Sequence, residues 1–174
     1  MSKQLEPTVL NQIHDISNSI EINSSYIEEI VDGITEPFMK DLDKCVKKIQ
    51  SRIADKKKPV TDAELDDYCI ELSTLIYFAG EGAERIGIRD GVAKTTYKEM
   101  YNTCRLNCKK GTAQDKTNEA ELRSIKESIV SSAYTSAYKS ARGKVECAME
   151  VLASIKKIIS KRQEELKLTR MSRD

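Results

Sequence analysis

Apolar residues recur along most of this chain at steps of three and four, the spacing that puts them on one face of an α-helix. In the first stretch Val9, Ile13, Ile16, Ile20, Ile27, Ile30 and Ile34 form a heptad stripe, and Asn23 takes its one missing position. A polar layer of this kind sets register or partner number in a coiled coil; the plainer reading is the half-exposed end of a stripe. Pro37 interrupts the pattern. Thr35 suits the cap of a new helix with Pro37 in its first turn, and Phe38, Leu42, Cys45, Ile49 and Ile53 form its buried stripe. Lys56-Lys57-Lys58-Pro59 then reads as a solvated loop.

Thr61-Asp62-Ala63-Glu64 is a capping-box sequence, a hydroxyl residue followed three positions on by a carboxylate. The helix it opens carries Leu65, Cys69, Leu72, Ile76, Ala79, Ala83 and Ile86 in a regular heptad run. Gly87 and Arg89-Asp90-Gly91 mark its end. A fourth helix follows from about Val92 to Cys108, with Ala93, Tyr97, Met100 and Cys104 on its apolar face. Lys109 to Thr117 reads as a polar loop containing Gly111.

The longest periodic stretch comes last. From Asn118 to about Arg170 there is no Pro, and Gly143 is the only Gly. Leu122, Ile125, Ile129, Ala133, Ala137, Ala141, Val145, Ala148, Leu152, Ile155, Ile159, Arg162 and Leu166 share one face. The mean step of about 3.67 residues is that of an eleven-residue repeat, which winds straight or slightly right-handed. A helix of roughly 50 residues is ~75 Å long, whereas a compact chain of this length is ~40 Å across. The helix must therefore bend, with Gly143 the expected place, or project and pack on another helix, including one from a second copy. Ala133, Ala137 and Ala141, with Ser132, Ser136 and Ser140 beside them, let another helix approach closely.

The pattern predicts five helices, near residues 6–33, 36–55, 62–87, 91–108 and 118–168, and no sheet. The fold class is all-α: an elongated helical bundle with a long, coiled-coil-like C-terminal helix. Residues 1–58 read as an acidic helical region and residues 59–174 as a helical-hairpin bundle. A homo-oligomer, most simply a dimer, is expected through the first or the last helix.

Composition fits this picture. Charged residues make up 33% of the 174, aromatics only 5%, with no Trp, seven Gly and three Pro, as suits long amphipathic helices. Net charge is +1, but its distribution is uneven. Residues 1–53 carry about −3, residues 54–88 about −4, and residues 89–116 and 153–174 about +4 each. No apolar run nears the roughly 20 residues that span a bilayer, and Met1-Ser2-Lys3 leads into a polar helix without a signal-peptide core. Five sparsely spaced Cys, an odd number, read as reduced thiols. The expected setting is the cytoplasm, without a membrane.

Catalytic constellations are not evident. His14 is the only His, so no Ser-His-Asp or Cys-His set forms without it; it reads as a surface or core-edge residue. Cys104 and Cys108 stand one helical turn apart, but zinc needs four ligands, and no metal or other cofactor is expected. Gly80-Glu81-Gly82-Ala83-Glu84-Arg85 starts like a dinucleotide fingerprint, yet Arg85 replaces the third Gly and no strand precedes it. Gly80 and Gly82 read as points of close helix packing or a weak hinge. The acidic cluster Asp62, Glu64, Asp66, Asp67 and Glu71 lacks a calcium-loop spacing and suits a helix start.

The basic segments carry the candidate site. Lys94, Lys98, Arg105, Lys109, Lys110 and Lys116 follow the fourth helix and its loop, interleaved with Tyr97 and Tyr101; Tyr134, Tyr138 and Lys139 would continue the strip. Alternating aromatics and cations suit single-stranded nucleic acid, because bases stack and phosphates pair. Lys156, Lys157, Lys161, Arg162, Lys167, Arg170 and Arg173 form a second basic region, which would extend the face. The alternative is Tyr at the rim of a helical core with solvated charges around it.

Residues 75–82 (LIYFAGEG), 91–94 (GVAK), 111–116 (GTAQDK) and the ending from Ala137-Tyr138-Lys139 to Lys161-Arg162 carry a resemblance. Together they resemble small helical proteins from early or DNA-metabolism regions of bacteriophages of Gram-positive bacteria, over roughly residues 60–168. The plan of helix, polar loop and long helix with a basic end is also similar to the phage recombination mediators of the UvsY family. That resemblance implies single-stranded DNA binding, oligomer assembly and recombinase loading, although no motif transfers individual residues and the acidic N-terminal stripe has no counterpart there. The leading expectation is a non-enzymatic phage accessory protein that binds single-stranded nucleic acid or a replication-recombination complex. The alternative is a phage inhibitor of a host defence protein, an anti-CRISPR or other anti-defence protein; a third is a virion assembly protein.

Overall fold

The computed structural model describes residues 7–55, 57–108 and 111–171; the side chains of residues 7–16, 18, 19, 22 and 23 lie outside that description. Among the described residues there are four helices and no strand: α1 (Pro7–Ala54), α2 (Asp62–Asn107), α3 (Ala113–Arg123) and α4 (Ile125–Met171). The fold is all-α. Helices α1, α2 and α4 hold 48, 46 and 47 residues, each roughly 70 Å long, so the bundle is elongated.

Inter-helix contacts set the directions. Arg52 meets Glu64, and Lys48 meets Glu71, so α2 runs back along α1. Thr135 bonds Asp90 and Arg162 bonds Asp62, so α4 runs back along α2 and parallel to α1, where Lys144 reaches Asp43 at 2.6 Å. One core joins the three. Met39, Leu42, Cys45 and Ile49 from α1 pack with Leu65, Leu72, Ala79, Ala83 and Ile86 from α2 and with Ala137, Ala141, Ala148 and Ile155 from α4. The heptad positions expected in α2 are buried or half-buried throughout. The stripe of α4 is covered only in its middle: Ala133 to Ile159 lie inside, while Leu122, Ile125, Ile129 and Leu166 are exposed.

The expected helix boundaries are corrected at three places. The break at Pro37 is absent, because α1 runs through it. Pro37 denies a hydrogen bond only to the carbonyl four residues back, that of Gly33, and both residues lie on the exposed side. Met39 and Thr35, both fully buried, then hold the helix on the core. The break at Gly87–Gly91 is also absent: α2 continues because Asp90, between the two glycines, is tied to α4. Finally, the long last helix is divided, not at Gly143 but at Ser124, whose backbone turns to φ −100°, ψ 12°. Its buried hydroxyl donates to the Ala120 carbonyl at 2.7 Å, a side-chain bond that competes with the helical ladder and bends it. Helix α3 also starts earlier than expected. Thr112 caps it in a second capping box with Asp115, after Gly111 at φ +101°, a conformation open to Gly. The heptad positions Val9, Ile13, Ile16 and Asn23 have side chains outside the described residues; Ile20 and Ile30 are exposed.

Close approach replaces bulk in this core. A Cβ on Gly82 would stand 2.6 Å from Phe38 Cβ on α1, and one on Gly87 would meet the Tyr138 ring at 2.8 Å. Around Gly80 and Gly143 there is nothing within 4 Å, so of the glycine pair in the sequence only Gly82 is a packing contact. Gly82→Ala should lower stability by about 1–3 kcal/mol through overpacking, whereas Gly143→Ala should raise it by roughly 1 kcal/mol through helix propensity. Urea unfolding of the two variants measures both signs.

The α1–α2 corner is pinned by Glu64. Its carboxylate accepts from the Thr61 backbone N–H at 2.8 Å and from Arg52 at 3.1 Å, while Arg52 also donates to the Lys58 and Pro59 carbonyls. The Thr61 backbone bond first, then Arg52, depress the Glu64 pKa from 4.5 to about 2. Because the folded value is the lower one, its stabilising contribution is complete above 4.5 and is lost as pH falls toward 2. Glu64→Gln should flatten the fall in melting temperature across that window, as read by circular dichroism at stepped pH.

Candidate functional site

The expected basic-aromatic strip lies on the half of α2 beyond α1's packed region. Lys94, Lys98, Tyr101 and Arg105 follow at steps of four, three and four, so they share one face; Tyr97 lies beside them. The Tyr97 and Tyr101 rings have centroids 6.3 Å apart. Both are half-buried. Lys98 and Arg105 are exposed, and among the described residues neither forms an ion pair. Arg105 shares a surface depression with Asn102, Leu106 and Lys116, so the α2–α3 connection brings a third cation from α3 onto this end. Lys109 and Lys110, in that connection, lie outside the described residues.

Lys94 is committed elsewhere. Its ammonium sits 2.7 Å from Asp90, whose other carboxylate oxygen accepts from the Thr135 hydroxyl at 2.6 Å. Burial pushes the Asp90 carboxyl up, but the bonds from Lys94 and Thr135 outweigh it and leave its pKa below the usual carboxylate range. This triad joins α2 to α4 and fixes the level of the strip.

The second basic region is not an extension of the first. Lys156, Lys157, Lys161 and Arg162 lie at the opposite end of the bundle, where Arg162 bonds Asp62 at 2.6 Å. Thr135 and Arg162 stand 27 residues apart on α4, hence about 40 Å. Lys161 faces Glu165 within its own helix, and Lys156 and Lys157 are exposed. Tyr134 and Tyr138 do not continue the strip either. Tyr138 covers Gly87, ten residues or ~15 Å along α2 from Tyr97. Tyr134 lines a separate groove with Ile88, Val92 and Ala93. The antiparallel register and the helical twist, invisible in a linear reading, separate them.

Thiols and acids build no reactive centre among the described residues. Cys104 and Cys108 are buried, and the Cys108 Sγ donates to the Cys104 carbonyl at 3.1 Å. A bond to Glu119, then burial, pushes the Cys108 thiol up, as burial does for Cys45 and Cys69. Among the described residues no group of three or more Cys, His, Asp or Glu could hold a metal ion, and no helix is long and apolar enough to cross a membrane. The His14 side chain lies outside the described residues. The apolar groove between α2 and α4 is the feature the sequence reading missed; exposed Ile88, Val92 and Val130, off the assigned stripes, were its only trace. No protein family, curated protein or solved structure matches this chain.

Proposed function

We propose that the chain is a non-enzymatic accessory protein that binds single-stranded nucleic acid through the free end of the α2–α3 hairpin. The observation that carries this reading is the adjacent, half-buried Tyr97 and Tyr101 rings, flanked by Lys98 and Arg105, which form no ion pair among the described residues, with Lys116 beside Arg105. Stacking on rings and neutralisation of phosphates are the two interactions that hold a single strand without reading its sequence. The resemblance to bacteriophage proteins supports a replication or recombination complex in the host cytoplasm as the setting of this reading, with recombination mediators as the architectural parallel.

A second reading has its own support. Leu106 is 84% exposed beside Arg105, and Met100, six residues before it, is also exposed. A phosphate backbone has no use for such side chains, whereas an acidic protein surface with an apolar centre does. On that reading the chain inhibits a host defence protein, as an anti-CRISPR or other anti-defence factor does.

A filter-binding titration with single-stranded oligonucleotides at two salt concentrations separates the readings. Affinity should fall steeply as salt rises, because phosphate contacts release counterions. Charge reversal at Lys98, Arg105 and Lys116 should weaken binding on all sequences alike. Tyr97→Ala or Tyr101→Ala should cost about 1–3 kcal/mol of binding, while Lys157→Glu, at the far end, should leave affinity unchanged. Absence of binding at low salt would reject the nucleic-acid reading and leave the protein inhibitor.

A further inference from the structure

The groove between α2 and α4, about 470 Å³ in volume, has an unusual position. Phe38 of α1 packs on Gly82 and Arg52 on Glu64. Extending that antiparallel register places residues 27–34 of α1 level with about residues 86–93 of α2. The groove begins there, with Ile88, Val92 and Ala93 on one wall and Val130 and Tyr134 on the other. It therefore continues the seat that α1 occupies farther down. Among the described residues none from α1 lines it. Ile88 is 69%, Val92 62% and Val130 50% exposed. Phe38, Val31 and Ile34 hold α1 against the core edge, and α1 passes this level without entering the groove.

The N-terminal half of α1 has the opposite need. Ile20 and Ile30 are exposed on the stripe that begins at Val9 in sequence. From Pro7 to Met39 the chain has no Lys or Arg but carries Asp15, Glu21, Glu28, Glu29, Asp32 and Glu36. The groove is rimmed by Arg89 and Lys126. Glu127, also in its wall, has a buried oxygen that meets no donor among the described residues; the exposed Ser17 and Ser24, near Ile20 on α1, carry hydroxyl donors. The groove's α2 wall, from Ile88 to Thr96, is ~12 Å long, room for about two turns of the α1 segment.

We propose that two copies of this chain exchange these segments: the acidic, apolar-striped N-terminal half of α1 lies in the α2–α4 groove of a second copy, and the contact is repeated by two-fold symmetry. An isologous interface of this kind satisfies both unpartnered surfaces at once and closes at two chains. It uses the side of α2 bearing Arg89, Ala93 and Thr96. Lys98 follows Thr96 by two residues, 200° around the helix, so Lys98, Tyr101 and Arg105 point away from the groove, while Tyr97, one turn after Ala93 and about 40° from it, borders the interface.

Light scattering on the full chain at micromolar concentration should give twice the 19.6 kDa chain mass. Val92→Glu with Val130→Glu, and separately Ile20→Asp with Ile30→Asp, should each halve that mass while circular dichroism keeps its helical signal. Arg89→Glu with Lys126→Glu, and separately Glu28→Lys with Glu29→Lys, should each weaken the dimer at least tenfold, and a one-to-one mixture of the two charge variants should recover it, because both exchanged contacts are then of opposite charge. A photo-crosslinker at Val92 in a mixture of isotopically light and heavy chains should join light to heavy through α1. A monomeric wild type, a dimer untouched by both groove and stripe variants, or crosslinks to α1 only within one chain would each overturn the proposal.

Discussion

Three long helices can share a core with so few aromatic residues only if their backbones come close. The contact surface is built for that: Gly82 on α2 faces Phe38 on α1 between the buried Ala79 and Ala83, while Ala133, Ala137, Ala141 and Ala148 on α4 are almost wholly buried. Dispersion attraction between many small groups at contact distance substitutes for the burial of a few large ones. The arrangement is unforgiving, because a core packed backbone to side chain has little room to absorb an added methyl. It also dictates where polar chemistry goes. Charged groups cross the seams in pairs, Lys144 with Asp43, Arg162 with Asp62, and Lys94 with Asp90 and Thr135. The last is the one that matters for direction, since Asp90 is buried and its carboxylate needs both donors.

The parts of this architecture that local chemistry decides were legible in the sequence. The Thr61–Glu64 capping box, the heptad run of α2 and the central stripe of α4 all depend on neighbours within one or two turns. What was not legible is what distant contacts override. Pro37 and the Gly87–Gly91 pair carry the signals of helix ends, yet the core on Met39 and the Asp90 triad hold the helix through them. Ser124 carries no strong breaking signal, and it is there that the last helix turns, because its hydroxyl is buried against its own backbone.

The same division applies to the surface. The i+3 and i+4 spacing of Lys94, Tyr97, Lys98, Tyr101 and Arg105 is a local property, and the face exists. Which of its cations are free is not local: Lys94 is held by a carboxylate whose other partner, Thr135, lies 45 residues away in sequence. Likewise the two basic segments look like one surface on paper, but antiparallel packing sends them to opposite ends of the bundle. Lys116 gains importance for the complementary reason, since the α2–α3 connection returns it to Arg105.

The acidic and basic halves of the chain then have a physical meaning that net charge conceals. Helix α1 supplies carboxylates at both ends of its span: Asp43 is matched by Lys144 within the fold, whereas the acids from Asp15 to Asp32 have no cations on their own segment. Helix α2 beyond Ile86 has the converse excess, with Arg89 about 160–180° around the helix from Lys98 and Arg105. Arg89 borders the apolar groove, and Lys98 and Arg105 flank the tyrosines. Attraction between exposed charges is screened within about 8 Å at physiological salt, so neither side can be neutralised from the other. The hairpin end therefore has two cationic sides of different character, one apolar and concave, the other carrying the tyrosines, and under the proposed readings each would serve a separate contact.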